Sequence, residues 1–539
     1  MKKCFLSFIL IFLICSLGGV SAAGLSMPVQ DFHAESENGQ EHLYWDADEP
    51  CLISSSDVRT FFLRTAETTP SLPASYDARE NGVQTDVFLQ GATSACWAIA
   101  ATDALAHNFM MQQKQVPALS PAHLAWFAHR SLVYSSGRDA GDGTNIQNPF
   151  LHGGNWVDAA VTLARWSGPA LSAVFPFDGN SVAGMGNYSE QDRYVHEAIL
   201  TDVSCYYAKN GNAASQISQN VMTEIKQAIL RDGAVQTSFY SDYAHYNNSS
   251  QGTAYYQDAV WLTNHAVLIV GWDDSYPVSA FKTTKQPKNN GAWLCKNSWG
   301  AAWGDDGYFW ISYEEPSLNQ IVSYAATEGR YYADNYQYDG FGFHGRLFSD
   351  SYVRFVNVFT ADSDCEIAAV ATWFLQDCSD YEISVYRSPE SSSFPIGNYR
   401  IASVKGLQET YGYHVIPLHT PVFVRSGEVF SVAVEMRVSA DCPQVSIPIE
   451  NANASDYVSY SRPGQSYVQI AENGPWFDTS VEGLNNVCIK AFTAHTHEDA
   501  DADAVCDICD TAMTIRTAVF YRRLLALFWA VFANFDKLI

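Results

Sequence analysis

The stretch Gln90-Gly91-Ala92-Thr93-Ser94-Ala95-Cys96-Trp97-Ala98 places a single cysteine just before a mostly apolar run, Ala98-Ile99-Ala100-Ala101 through Asp103 to Ala104-Leu105-Ala106. Such a run predicts a helix that starts at or near Cys96. A thiol at a helix start feels the positive end of the helix dipole, which favours the thiolate, the form that attacks a carbonyl carbon. Alone, a cysteine in alanine-rich sequence is as a rule a small buried hydrophobe. Two later stretches change that reading. Asn264-His265-Ala266-Val267-Leu268-Ile269-Val270-Gly271-Trp272 is a histidine leading a short apolar run bounded by glycine, the pattern of a buried strand. Gly291-Ala292-Trp293-Leu294-Cys295-Lys296-Asn297-Ser298-Trp299-Gly300 reads as a second strand ending in an asparagine. Taken singly, His265 is more often a satisfied core residue and Asn297 a strand terminator. Together, a nucleophile, a base and an amide that orients the base are the components of nucleophilic acyl transfer.

At these residues the chain resembles the papain family of cysteine peptidases. The matching residues run in order: Gln90 six positions before Cys96, Cys96-Trp97, His265-Ala266-Val267, and Asn297-Ser298-Trp299-Gly300 continuing to Trp303-Gly304-Asp305-Asp306-Gly307-Tyr308. The resemblance implies peptide-bond hydrolysis through a thioester, with no cofactor required for catalysis. It casts Cys96 as a thiolate paired with the imidazolium of His265, which protonates the leaving amine. Asn297 orients the imidazole, Trp299 shields that contact from water, and Trp97 supports the nucleophile. The Gln90 amide and the Cys96 N–H form the oxyanion hole. Gly153 and Gly154, in His152-Gly153-Gly154-Asn155-Trp156, become substrate-binding residues along which an extended peptide can lie, with Phe175-Pro176-Phe177 as the counterpart of the family's Tyr-Pro-Tyr. Read locally, the same glycines are a turn before a helix. In many relatives a second cysteine stands three residues before the nucleophile; here that position is Thr93, so the disulfide it makes is absent. Cys295 shares a strand face with Asn297 and is read as a packing thiol.

The expected scaffold is α+β: a two-lobe peptidase domain at residues 72–328, with a helical lobe carrying Cys96 and a sheet-rich lobe carrying His265 and Asn297. Leu72-Pro73-Ala74-Ser75-Tyr76-Asp77-Ala78-Arg79 resembles the family's mature start. Ser120-Pro121 predicts a helix start, with Ser120 as cap and Pro121 in the first turn. The apolar positions Val221, Met222, Ile225, Ala228 and Ile229 recur at helical spacing, and Arg231-Asp232-Gly233 ends that helix before a strand beginning near Ala234. The interval from Cys96 to His265 exceeds the roughly 130–150 residues usual in close relatives. Insertions around Tyr134 to Asn148, Gly179 to Gln191 and Tyr240 to Asp258 absorb the excess, some of them bordering the cleft.

Around this core the chain divides further. Residues 1–22 read as a signal peptide, with Lys2 and Lys3, an apolar stretch from Cys4 to Leu17, and Val20-Ser21-Ala22 before the cut. Residues 23–71 are polar, acidic and poorly periodic, a leader and linker too short for a helical prodomain that fills a cleft. From 329 to 493 short β-branched and aromatic runs such as Glu382-Ile383-Ser384-Val385-Tyr386 and Phe430-Ser431-Val432-Ala433-Val434 predict an antiparallel β-sandwich. This segment resembles, through Tyr336-Gln337-Tyr338-Asp339 and domain order, the lectin-like domain that follows the peptidase in some bacterial and archaeal papain-family proteins. A carbohydrate or cell-surface ligand is thereby implied, although aromatics such as Trp373 and Trp476 are more often core. Disulfides within Cys365 to Cys488 are expected from export. Residues 494–513 concentrate metal-ligand types: His495, His497, Cys506 and Cys509 suit a tetrahedral Zn site. Asp499, Asp501, Asp503 and Asp510 suit a Ca loop in which Ala504 stands where glycine is wanted. A solvated acidic linker with a local disulfide is the third reading. Residues 514–539 predict an amphipathic helix for a membrane surface or a partner, its apolar core from Leu524 to Ala533 being too short to span a bilayer.

A net charge of −27 disfavours nucleic acid as a partner. The expectation is a secreted or cell-envelope cysteine peptidase acting on peptide or protein substrates. Two other classes share its residues: a catalytically silent surface adhesin, against which the intact set of Gln90, Cys96, His265 and Asn297 argues, and an acyl transferase using the same Cys–His chemistry.

Overall fold

The computed structural model describes residues 72–494, with breaks at 113, 115–117, 133–142, 183–184, 209–216, 330, 378, 388–393, 398, 441 and 451–456, and the backbone of two earlier strands, Gln30–Glu37 and Gln40–Asp46. The signal segment, the tail with His495, His497, Cys506 and Cys509, and the helix expected at 514–539 lie outside the described residues. Among the described residues there is no group suited to hold a metal ion, and no helix is long and apolar enough to cross a membrane.

Four helices longer than a single turn lie among the described residues of the peptidase half. Helix α1, Cys96–Met111, is alanine-rich and buried through almost its whole length, which small side chains permit on every face at once. Helix α2, Pro121–Ala128, starts as its sequence predicts: the Ser120 hydroxyl accepts the His123 N–H at 3.1 Å, and Pro121 occupies the first turn. Helix α3, Trp156–Ala164, is capped by Asn155, whose side chain accepts from Val157 N at 2.7 Å while Asp158 accepts from Asn155 N at 2.8 Å. Helix α4, Gln219–Asp232, begins at Ser218 and stops at Gly233, where φ is +91°.

The sheet-rich lobe is part of one almost wholly antiparallel sheet of thirteen strands. Its path runs Ala198–Tyr207, Asn319–Glu328, Val235–Phe239, His265–Asp273, Ala292–Lys296, Tyr308–Ser312, Gly252–Tyr255 and Tyr246–Ser249, with Ser75–Asp77 also paired to the His265 strand. The predicted histidine strand thus lies central and is paired on both sides, which accounts for its unbroken apolar run. Beyond Ala198–Tyr207 the same sheet continues through Gly412–Val424, Cys365–Phe374, Ile489–Ala494 and Tyr332–Tyr336. That second half faces a six-stranded sheet containing Tyr399–Gln408, Ser379–Arg387, Val429–Arg437, Tyr352–Thr360, Ser466–Gln469 and Phe477–Asp478. Between them lies a core that includes Phe355, Ile367, Ile383, Val432, Val434 and Ile489, the expected sandwich.

Peptidase and sandwich halves are therefore continuous rather than beads on a linker. At the seam Gly412, Tyr413 and His414 pair with Ser204, Val203 and Asp202. A Cβ at Gly412 (φ +150°) would stand 1.6 Å from the Val203 carbonyl oxygen, so the strands meet only because that position is glycine. The Tyr336-Gln337-Tyr338-Asp339 segment has a structural task at the same boundary. Asn335 donates to the Ala164 carbonyl at 3.2 Å and Gln337 to the Arg165 carbonyl at 3.1 Å, satisfying groups at the C-terminal end of α3. Trp373, one of the aromatics considered for sugar stacking, is buried and lies 6.3 Å, ring to ring, from Trp156 of α3.

The segment read as leader and linker contains the antiparallel pair Gln30–Glu37 and Gln40–Asp46, and the first of these joins Phe343–Ser349 in parallel. Among the described residues Cys365, Cys442 and Cys488 are free thiols, as are Cys96, Cys205 and Cys295, while Cys378, the remaining cysteine of the segment in which disulfides are expected, lies outside the described residues. Cys442 and Cys488 are buried.

His107 and His123 are both fully buried, and burial pushes each imidazole down to about 4. In the folded chain they stay neutral down to that pH, whereas the unfolded side chain takes a proton near 6.5. Their contribution is whole above pH 6.5 and is lost as pH falls through 4. Denaturant titrations between pH 6 and 4.5 should therefore show stability falling with acid. His123→Leu should lessen that slope by about 1.4 kcal/mol per pH unit; an unchanged slope would mean that His123 titrates normally.

Candidate active site

Helix α1 begins without a side-chain cap, since Ala95 offers none, and of its first turn the Ala98 N–H already donates to the Ala95 carbonyl at 3.0 Å. Cys96 stands at this end, half-buried, on top of a helix whose next residue, Trp97, is fully buried. The N–H groups of Ala266, Trp97 and Cys96 itself all act to lower the thiol pKa, as a helix start should. Burial acts the other way and is larger, so the Cys96 thiol is pushed above the ordinary range. Desolvation and the field of the helix start thus act in opposite directions on the Cys96 thiol.

His265 opens its strand opposite Phe239, and its Nε2 donates to Asn297 Oδ1 at 2.8 Å. The same Oδ1 accepts the Ser298 N–H at 2.8 Å, which fixes it as the acceptor and fixes the imidazole in the tautomer with Nδ1 unprotonated when neutral. Burial drives His265 down to about 4, against the raising effect of the Asn297 bond. The ring of Trp299 lies nearly parallel to the imidazole with centroids 5.0 Å apart, and Trp303 meets Trp299 edge-on at 4.8 Å. The shielding role expected for Trp299 thus corresponds to a stacked ring over the imidazole.

Gln90 is held from two sides. Its Oε1 accepts from the Ser298 hydroxyl at 2.6 Å, and its Nε2 donates to the Thr93 carbonyl at 3.1 Å. Thr93 returns a bond from its hydroxyl to the Gln90 carbonyl at 2.8 Å. A reciprocal Gln90–Thr93 clamp thus braces the turn in which relatives carry a cysteine. The backbone joins too: Gln90 N donates to Ser298 O at 2.7 Å, and Leu89 bridges Trp299. Among the described residues the Gln90 amide nitrogen has this one acceptor.

The two glycines divide their roles. Gly153, at φ +89°, ends the single turn Pro149–His152, and its carbonyl is taken by His129 Nε2 at 2.8 Å. Gly154 has no hydrogen bond on either backbone group among the described residues, so it can pair with an extended peptide. Its missing Cβ is also structural, because one would lie 2.4 Å from the Trp97 ring. The turn reading and the peptide-binding reading are both compatible with this geometry.

Ser298 and the pair Lys296–Asp103 escaped the sequence reading. Lys296 Nζ, buried at the end of the strand Ala292–Lys296, meets Asp103 Oδ2 of α1 at 2.7 Å. It also donates to Thr85 Oγ1 and the Asp86 carbonyl, both at 2.6 Å. A lysine directly before Asn297 in an otherwise apolar strand, and an aspartate inside an alanine-rich helix, were the available signals. Cys295 points into the core behind the strand, where burial drives its thiol well above the ordinary range, in keeping with a packing role.

In comparison with known proteins, residues 154–328 match the model of the papain family cysteine proteases and residues 335–493 that of the lectin like domain. Cathepsin K of Mus musculus is 26% identical over 270 residues, covering 49% of this chain and 67% of the relative. Cathepsin K of Gallus gallus is 27% identical over 243 residues, covering 44% and 58%. The chain thus spans roughly three-fifths to two-thirds of these curated relatives. Among solved structures, the clostridial cysteine protease Cwp84 after propeptide cleavage superposes with a TM-score of 0.65 at 23% identity, covering 78% of this chain and 99% of that one. The cysteine protease and lectin-like domains of Cwp84, a surface layer associated protein of Clostridium difficile, give 0.64 at 22%, covering 79% and 89%. These likenesses establish the shared two-domain fold.

Replacing Lys296 by Met leaves the Asp103 carboxylate buried without its partner. A loss of about 3–5 kcal/mol is expected in denaturant unfolding. The double variant Lys296→Met with Asp103→Leu should recover most of it, because no charge is then stranded; equal losses in the single and double variants would show that packing, not the charge, is what matters.

Proposed function

We propose that this chain, a papain-family cysteine protease domain joined to a lectin-like domain, is an exported peptidase that hydrolyses peptide bonds through a thioester on Cys96. The observation that carries the reading is the His265–Asn297 bond at 2.8 Å beneath Trp299, in register with a Gln90 amide held by Ser298. A buried core histidine has no need of a dedicated amide partner, a covering indole and a braced glutamine at once.

The chemistry follows from the desolvation. A lone thiolate and a lone imidazolium are each disfavoured by burial, so the charges arise together, when the Cys96 proton passes to His265 Nδ1. The thiolate attacks the scissile carbonyl carbon. The carbonyl oxygen gains charge and receives the Cys96 N–H and the free proton of the Gln90 amide, donors that are already in place before the reaction. As the C–N bond breaks, His265 returns its proton to the leaving nitrogen. Water, deprotonated by the now neutral imidazole, then cleaves the thioester and frees the thiol. Gly154 aligns the acyl side of the peptide by backbone pairing.

Export and attachment to the cell envelope are part of the same reading, supported by the apolar start of the chain and by the likeness to a surface layer associated protein. On the outer face of the six-stranded sheet a cleft of about 380 Å³ is lined by Asp380, Tyr381, Glu382, Lys405, Glu435 and Arg437. Its paired charges and aromatic edge suit a hydroxyl-rich ligand, which is where the lectin-like half would engage carbohydrate.

With residues 1–22 removed and under reducing conditions, the protein should cleave a mixed peptide library, with product masses showing hydrolysis rather than transfer to an amine. Cys96→Ala should cleave nothing. Gln90→Ala should lose about 10²- to 10³-fold in kcat with little change in KM. Unchanged turnover in Gln90→Ala would remove its oxyanion role, and silence of the unmutated protein would favour a binding function.

A further inference from the structure

The Gly153-Gly154 turn must be held, because two consecutive glycines leave between them a peptide plane that rotates easily, with no Cβ on either side to hinder it. Gly153 has φ +89° and ψ −163°, a conformation open essentially to glycine alone. A Cβ added there would meet nothing within 4 Å, so packing on that side does not restrain the residue. The restraint comes from hydrogen bonds.

His129, buried and directly after α2, bonds the Gly153 carbonyl through Nε2 at 2.8 Å. A carbonyl can only accept, so Nε2 carries the proton. The other ring nitrogen, Nδ1, lies 2.8 Å from the hydroxyl of Tyr457. That hydroxyl is also 3.2 Å from Asp158 Oδ1, and Asp158 Oδ2 accepts the Asn155 N–H at 2.8 Å. One hydroxyl is therefore linked to both flanks of the glycine pair, to Gly153 through His129 and to Asn155 through Asp158. It gives its proton to Nδ1 when the ring is neutral, and to Asp158 when Nδ1 is protonated and donates to it. Nε2 keeps its proton on Gly153 in both arrangements. Tyr457 itself belongs to the lectin-like half, within the matched residues 335–493. Its strand, Tyr457–Val458, pairs with Gly143–Thr144 of the peptidase half, and its ring packs on Phe341 with centroids 4.8 Å apart and on His344 at 5.7 Å. A tyrosine buried in such a seam needs a partner for its hydroxyl, and here the partner is the ring that holds the turn.

A trans peptide is planar, so the Gly153 carbonyl and the Gly154 N–H point to opposite sides of the chain. Fixing the carbonyl on His129 turns the Gly154 N–H the other way, and that N–H has no acceptor among the described residues. We propose that Tyr457 is a positioning residue supplied to the peptidase by the lectin-like half: through His129 it sets the plane of the Gly153–Gly154 peptide and holds the Gly154 N–H ready to pair with the backbone of an extended substrate. This rests on the peptidase reading and adds to it that peptide alignment depends on the second domain, whereas the thiol chemistry at Cys96 does not. A substrate too small to reach the turn is indifferent to Tyr457. The effect is one of alignment before reaction and is expressed in kcat/KM.

The test compares an extended peptide taken from the library products with p-nitrophenyl acetate, whose acetyl group acylates Cys96 without any backbone to pair. The rate of Cys96→Ala is subtracted from both. Tyr457→Phe removes only the hydroxyl. It should lower kcat/KM on the peptide about 3- to 10-fold, the equivalent of one hydrogen bond, and leave ester turnover within about twofold. His129→Phe, which keeps a ring in place without the donor, should show the same split. The double variant should lose no more on the peptide than His129→Phe alone, because both substitutions break one chain of contacts. Losses that multiply in the double variant, equal losses on peptide and ester, or a peptide rate untouched by Tyr457→Phe overturn the proposal, while ester turnover shows the peptidase reading intact. If the unmutated protein cleaves neither peptide nor ester, the peptidase reading falls and this one with it. Should Tyr457→Phe fail to fold, His129→Phe decides: a loss confined to the peptide supports the proposal, and an equal loss on both substrates overturns it.

Discussion

A lysine ammonium buried between a helix and a strand is the contact on which the site's geometry depends. Lys296 joins α1, which begins at Cys96, to the strand that leads into Asn297, and it also holds the Thr85–Asp86 segment that leads into Gln90. Three stretches far apart in sequence converge on one cation whose side chain is 1% exposed. A charge so desolvated tolerates little displacement of its partners, because each lost bond leaves a buried donor or carboxylate unpaired. Apolar packing of similar volume could hold these segments together with equal strength. It would not hold them in one register, and a reaction that needs donors within a few tenths of an ångström depends on register.

The same desolvation governs the reacting groups. Burial raises the Cys96 thiol and lowers His265, so neither ionises for its own sake. In the mechanism proposed above, the two charges would be created and removed together. The covering indole of Trp299 belongs to this arrangement, since an exposed imidazole would exchange its proton with solvent.

Much of this was legible in the chain. Cys96 before an alanine-rich run, His265 leading a strand bounded by glycine and Asn297 at a strand end each carry local signals, and the structure puts the helix, strand and strand end where those signals fall. Ser120 and Gly233 marked helix boundaries through local chemistry that is read from neighbouring residues alone. The misses are non-local. Ser298 matters because Gln90, more than two hundred residues away, lies against it, and Lys296 because Asp103 does. No periodicity within either segment encodes such a meeting. The pairing of the strand Gln30–Glu37 with Phe343–Ser349 again joins distant segments.

Continuity of the thirteen-stranded sheet bears on how the two halves work together. Domains joined by a polar linker reorient freely. Here the strand pairing at Gly412–His414, the capping of α3 by Asn335 and Gln337, and the apolar contact of Trp166 with Phe492 at 4.9 Å fasten the sandwich to the helical lobe. Helix α3 also begins just after Gly153 and Gly154, so its N-terminal end borders that turn while its C-terminal end is held by the sandwich. A helix nine residues long thus links the glycine turn of one half to the other, and the placement of the two halves is set by hydrogen bonds and packing rather than by a linker.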